Sequence, residues 1–324
     1  MSKRLLPLVL LVLGTAPARA DVAEVVAQHI LPGYAAFADS TEGLDKAARD
    51  CVPETMLPAY QAAFDAWIGV AHLHLGPADE EGRALAIAFW PDPKGLGWKH
   101  QQALLTGDPA LLQPAAFAEQ SVAARGLFAL ERLLFPSGPI ATDPCPLIRA
   151  SAADLARLAA EIEAGWQGGY ADVLLTAGDA GNDAFLSPQE ARAALFTQLA
   201  TGLEFVADQR LGRPLGTFDR PAPEKAEARA AGRSLRNVVL SLRALRGLAE
   251  TLAPEAAQTL AGFDRVIAEA GALEDPVLAG VADPQGRLKV EILQQSVRSL
   301  REAALAEIGA QLGVEVGFNA ADGD

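Results

Sequence analysis

The sequence predicts an all-α protein built from two helical-bundle domains. Apolar residues recur at spacings of three and four rather than alternating. The chain is rich in Ala, Leu, Glu, Arg and Gln and poor in Thr, Tyr and Ile, a composition that suits helices better than sheets. The breaks between periodic stretches are turns rich in Gly, Pro, Asn and Asp.

The chain opens with an export signal over residues 1–20. Lys3 and Arg4 are its basic start, Leu5 to Leu13 its apolar run, and Ala18-Arg19-Ala20 its small-x-small cleavage pattern. The run is too short for a stable membrane anchor. Cleavage after Ala20 leaves Asp21 first, with no cysteine there to carry a lipid. No later segment is long and apolar enough to be transmembrane, so the expected location is the bacterial periplasm.

Helices are expected over residues 22–38, 54–75, 96–105, 113–135 and 146–176, with Pro136-Ser137-Gly138-Pro139 ending the fourth. The polar linker Gly178-Asp179-Ala180-Gly181-Asn182-Asp183 then divides an N-terminal bundle, 21–177, from a C-terminal bundle, 187–324. Asp179, Asp183 and Glu190 fall at positions 1, 5 and 12 of a calcium loop. However, Gly181 and Ala184 occupy the places of a ligand and of the turn glycine. The better reading is a helix start, with Ser187 as N-cap, Pro188 in the first turn and Glu190 completing a capping box. Helices over 188–211, 224–252, 255–270 and 286–312 follow. The similar helix counts of the halves allow an ancient duplication, although no residue-level repeat marks it.

The formal net charge is −14, and loss of Lys3, Arg4 and Arg19 with the signal takes it to −17. Such acidity argues against nucleic acid and anionic membranes as partners. Cys51 and Cys145 are the two cysteines. In an oxidising compartment they are expected to form one disulfide, with free thiols or metal ligation as the other readings.

Within 113–135, read as one helix, Glu131 shares a face with Phe117, Ala124, Leu127, Phe128, Leu134 and Phe135. A carboxylate in an apolar stripe must be paired or coordinated. A structural ion pair with an arginine from another helix is one reading, and a functional group is the other. Lys225, Arg229, Arg233, Arg236 and Arg243 form a basic stripe on the expected 224–252 helix. It is either a solvated face or a source of arginines turned inward to an acid such as Glu131. The histidines are His29, His72, His74 and His100. On a regular helix His72 and His74 point about 200° apart and cannot grip one metal unless the helix is already breaking towards Gly76-Pro77; each is read as structural or surface. There is no HExxH, G-x-S-x-G, CxxCH or phosphate-binding glycine loop.

Several segments together resemble the imelysin family of exported bacterial proteins. They are the helix bearing Trp67, Phe89-Trp90-Pro91-Asp92, Glu131-Arg132-Leu133-Leu134-Phe135, Gly232-Arg233-Ser234-Leu235-Arg236-Asn237, and the ending Gly317-Phe318-Asn319-Ala320-Ala321-Asp322-Gly323-Asp324. The resemblance implies helical bundles meeting at a central groove, and a binding groove formed by Gly126, Phe128, Glu131, Trp67, Trp90, Asp92, Arg236, Asn237, Asn319 and Asp322. Family members are associated with iron uptake, and some are classed as metallopeptidases. The family signature is Gly-x-His-x-x-Glu. Gly126 and Glu131 match it, but Phe128 stands in the histidine position and cannot coordinate. The expectation is therefore non-enzymatic binding of a ligand or metal, with periplasmic iron-uptake components as possible partners. Iron or another divalent cation is the implied cofactor, and Glu131 is the remaining metal ligand, a weak anchor unless His29, His72, His74 or His100 reaches the groove from elsewhere. Two other readings are a metallopeptidase with a non-standard site and a scaffold that binds no metal.

Overall fold

A computed structural model describes residues 22–314, so the signal segment, Asn319 and Asp322 lie outside the described residues. The described chain is all-α: its helices include no strand, and one isolated bridge pairs Thr217 with Arg220. The principal helices are α1 (Leu31–Ala48), α2 (Pro53–Val70), α3 (Leu96–Thr106), α4 (Gly126–Leu134), α5 (Cys145–Gly165), α6 (Pro188–Phe205), α7 (Ser234–Leu252), α8 (Ala257–Gly271) and α9 (Pro284–Leu312). Helix α1 packs on α2 and α5, while α9 packs on α6 and α8. Helix α7 joins these groups, lying against α8, α6 and α2.

Local chemistry sets the ends. Ser187 Oγ accepts from the Glu190 N–H as expected of the N-cap, while the Glu190 carboxylate accepts from the Leu186 N–H at 2.7 Å, one residue before the N–H that a capping box uses. The Asp283 side chain accepts from Gln285 and Gly286 N–H to start α9. Helix α8 has no cap of its own. Glu307, on α9, reaches across to accept from the Gln258 and Thr259 N–H groups at 3.2 and 2.7 Å. Cys51 and Cys145 are bonded, with Cα atoms 5.9 Å apart, and tie the approach to α2 to the first turn of α5.

Three expectations need correction. Residues 113–135 are not one helix. A 3₁₀ turn over Pro109–Leu112, a short helix Pro114–Ala118 and a second 3₁₀ turn over Val122–Ala124 precede α4. The break falls at Gly126, whose φ is +72°, and a Cβ there would collide with the carbonyl oxygens of Ala86 and Ile87. The 224–252 helix begins only at Ser234, so Lys225 and Arg229 do not continue a stripe along it. Three long helices are also interrupted by π turns, Val26–Ile30, Trp166–Tyr170 and Val206–Leu211. These rotate the following side chains away from the positions that a regular helix predicts.

Candidate functional site

The segment leading into α7 stitches the two groups of helices together. Arg233, 1% exposed, donates to the Gln61 carbonyl at 3.2 Å and to Asp65 Oδ1 at 2.6 Å, with its guanidinium 4.5 Å from the centre of the Phe64 ring. Arg236 lies exposed beside it and also pairs with Asp65. The Gln61 amide donates to the Ala231 carbonyl at 3.3 Å. Glu131 is buried, and its Oε1 accepts from the Ala231 N–H at 3.0 Å. The expected arginine partner of Glu131 is therefore replaced by main chain, and the inward-turned arginine goes to Asp65 instead. Burial raises the Glu131 pKa above its ordinary value, opposed first by the Ala231 hydrogen bond and then by the nearby Arg132 charge.

That stitched segment carries Glu227 into a cavity of about 490 Å³. The C-terminal end of α2, the 71–90 connection, α4, α6 and α7 all contribute to its wall. Trp67, Trp90, Phe128 and Phe205 form the aromatic part. Phe128 stacks near Trp90, with centroids 6.3 Å apart and planes 16° apart, and meets Phe64 edge-on at 5.4 Å. Gly202 lets α6 approach closely here: a Cβ would lie 2.5 Å from Leu245 and 3.2 Å from the His72 side chain.

Next to Phe205 the wall turns polar. Arg210, presented by the third π turn, donates from Nε to Glu227 Oε2 at 2.6 Å, and both side chains are buried. The Asn237 amide donates to the same Glu227 oxygen at 3.0 Å. The Arg210 guanidinium also sits 4.8 Å from the Phe205 ring centre. His72 reaches the wall and bonds back to His29, with Nε2 atoms 2.9 Å apart. Burial lowers both histidine pKa values, His29 to about 4 and His72 well below its ordinary value. Both rings are therefore neutral at pH 7. Ser241 Oγ and His72 Nδ1 are buried without a hydrogen-bond partner.

The residues singled out from sequence thus fall in different places. Trp67, Trp90 and Phe128 line the cavity. Gly126 forms the turn that aims α4. Glu131 and Asn237 stand behind the wall, holding the 227–233 segment and Glu227. Asp92 is a helix cap, accepting from the Leu96 and Gly97 N–H groups at 2.9 and 2.7 Å. Arg236 is a surface partner of Asp65. Sequence reasoning missed Arg210, Glu227, Ser241 and the His29–His72 pair. The last had a faint signal, two histidines in apolar surroundings.

A metal does not fit this donor set. Phe128 offers no lone pair, Glu131 is engaged by main chain, and one His72 nitrogen is taken by His29. Among the described residues no group of three or more His, Cys, Asp or Glu side chains converges.

Comparison with known proteins bears on the same chain length. The family model for imelysin matches residues 30–304. Iron-regulated protein A of Synechococcus elongatus is 26% identical over 306 residues, covering 86% of this chain and 82% of its own. The crystal structure of an imelysin-like protein from Psychrobacter arcticum superposes with a TM-score of 0.74 at 21% identity, covering 92% of this chain and 96% of its own. A crystal structure from Parabacteroides distasonis gives a TM-score of 0.71 at 15% identity, covering 90% and 94%.

Proposed function

Because the chain belongs to the imelysin family, we propose that it is an exported, non-enzymatic binding protein that serves iron acquisition in the periplasm. Its two bundles are divided at residues 178–186, and its ligand sits in the cavity between α2, α4, α6 and α7. The relative in Synechococcus elongatus is an iron-regulated protein by name, which supports the link to iron supply. The observation that carries the binding role is Phe128. Its ring lines the cavity where the family signature calls for histidine, so the Gly-x-His-x-x-Glu site is degenerate. Metallopeptidase chemistry needs a metal-bound water held by several ligands, and the donor set described above does not supply them.

Calorimetric titration with ferric citrate and with zinc chloride tests this reading. Wild-type protein is expected to bind neither ion in the micromolar range. Phe128→His restores a donor on the Glu131-bearing helix and is expected to raise affinity at least tenfold, with Glu131→Ala as the control. Tight, Glu131-dependent binding by the wild type would overturn the degenerate-site reading and revive the metallopeptidase.

A further inference from the structure

We propose that the cavity takes an uncharged, planar aromatic molecule with a hydrogen-bonding head, a phenol or an amide, in preference to a metal ion or an organic anion. This deepens the reading just given and rests on the cavity being the binding site.

Size and wall chemistry set the body of the ligand. About 490 Å³ is the scale of a small organic molecule and far exceeds one ion. Trp67, Trp90, Phe128 and Phe205 offer ring faces and edges, against which a flat aromatic body packs with a geometry-specific gain beyond its buried area.

Charge balance sets the head. The buried charges of the wall are balanced, and the rim offers no cation fixed in charge. Arg210 is matched by Glu227 at 2.6 Å in the depth, and His74 faces Asp79 at 3.5 Å on the exposed rim. A ligand carboxylate would approach Arg210 only by also approaching Glu227, and its desolvation would go uncompensated. A neutral head avoids that cost.

Unmet hydrogen bonds locate the head. Buried native hydroxyls nearly always have a partner, yet Ser241 Oγ has none, nor does His72 Nδ1. Both residues line the cavity, as do Arg210 and Glu227, and His72 feels the Arg210 charge. A serine hydroxyl both donates and accepts, and a neutral imidazole nitrogen does one or the other according to tautomer. A phenol or an amide meets both.

Calorimetry on the exported protein with 2-naphthol, 2-naphthoate and zinc chloride tests the proposal. The wild type is expected to bind one 2-naphthol per chain, at least tenfold more tightly than 2-naphthoate. Ser241→Ala should weaken 2-naphthol by about fivefold to tenfold through the lost hydrogen bond. Ala71→Phe fills the cavity and should abolish binding. Thr201→Trp, on the exposed rim, replaces it should that variant fail to fold. If 2-naphthoate or zinc binds more tightly than 2-naphthol and the filling variant blocks it, the ligand class is overturned and the cavity stands as the site. If 2-naphthol binds the filled variant as well as the wild type, or if none of the three probes binds, the cavity reading falls with it.

Discussion

At Glu131 burial acts against the Ala231 backbone hydrogen bond, the Arg132 charge and the Ala230 backbone, and burial is the stronger. A carboxyl whose native pKa is raised holds its proton to higher pH in the folded state than in the unfolded chain. Native stability at this site is therefore fully present below the ordinary value of 4.5 and is lost as pH rises through the raised native value. Glu131→Gln keeps an acceptor for the Ala231 N–H but does not titrate. In urea unfolding between pH 4 and 7, the wild type should lose stability relative to Glu131→Gln as pH rises, and parallel profiles would refute this. Glu131→Ala removes the acceptor altogether and should cost about 1–3 kcal/mol. The apolar stripe in the sequence was enough to expect a buried carboxylate. Its partner was not legible, because a main-chain N–H 100 residues away leaves no mark in side-chain identity. The His29–His72 contact was hidden for a related reason, since it joins rings 43 residues apart.

Among the elements, the starts of α2, α3, α5, α6, α8 and α9 fell within two residues of expectation, whereas the ends expected at 38 and 75 fall at Ala48 and Val70, and periodicity also missed the π turns. The Val26–Ile30 and Val206–Leu211 π turns carry His29 and Arg210. One backs the cavity wall and the other forms part of it. No composition rule announces a π turn, so neither residue could be assigned to a site from periodicity. Gly126 is the opposite case: the residue was singled out, but as a motif letter inside a helix rather than as the break that starts one. Its left-handed backbone and the adjoining Ala86 and Ile87 carbonyls leave no room for a side chain. Gly126→Ala should lower unfolding stability by about 3 kcal/mol or more, combining backbone strain with displacement of main chain. A thermal midpoint within a degree of wild type would show that the turn can relax.

For the molecule as a whole, periodicity and composition predicted the helical class well, because nearly all packing faces are apolar stripes on helices. How the helices assemble around one cavity was not legible. That depends on contacts such as Arg233–Asp65, whose partners are 168 positions apart in the chain. The Cys51–Cys145 bond closes a span of 94 residues. Removing it by Cys51→Ser with Cys145→Ser should lower the unfolding free energy by about 4–5 kcal/mol in the chain-entropy model. Denaturant curves of the double variant that overlay the oxidised wild type would contradict this. A last consequence concerns the order in which the chain is made. The first N–H groups of α8 are satisfied by Glu307, which is synthesised 49 residues after Gln258. A chain cut short before Glu307 therefore leaves that helix open at its beginning, whatever its own residues prefer. Closure of the C-terminal half waits for its final segment, so a nascent or truncated product would expose α8 to proteases until the last helix arrives.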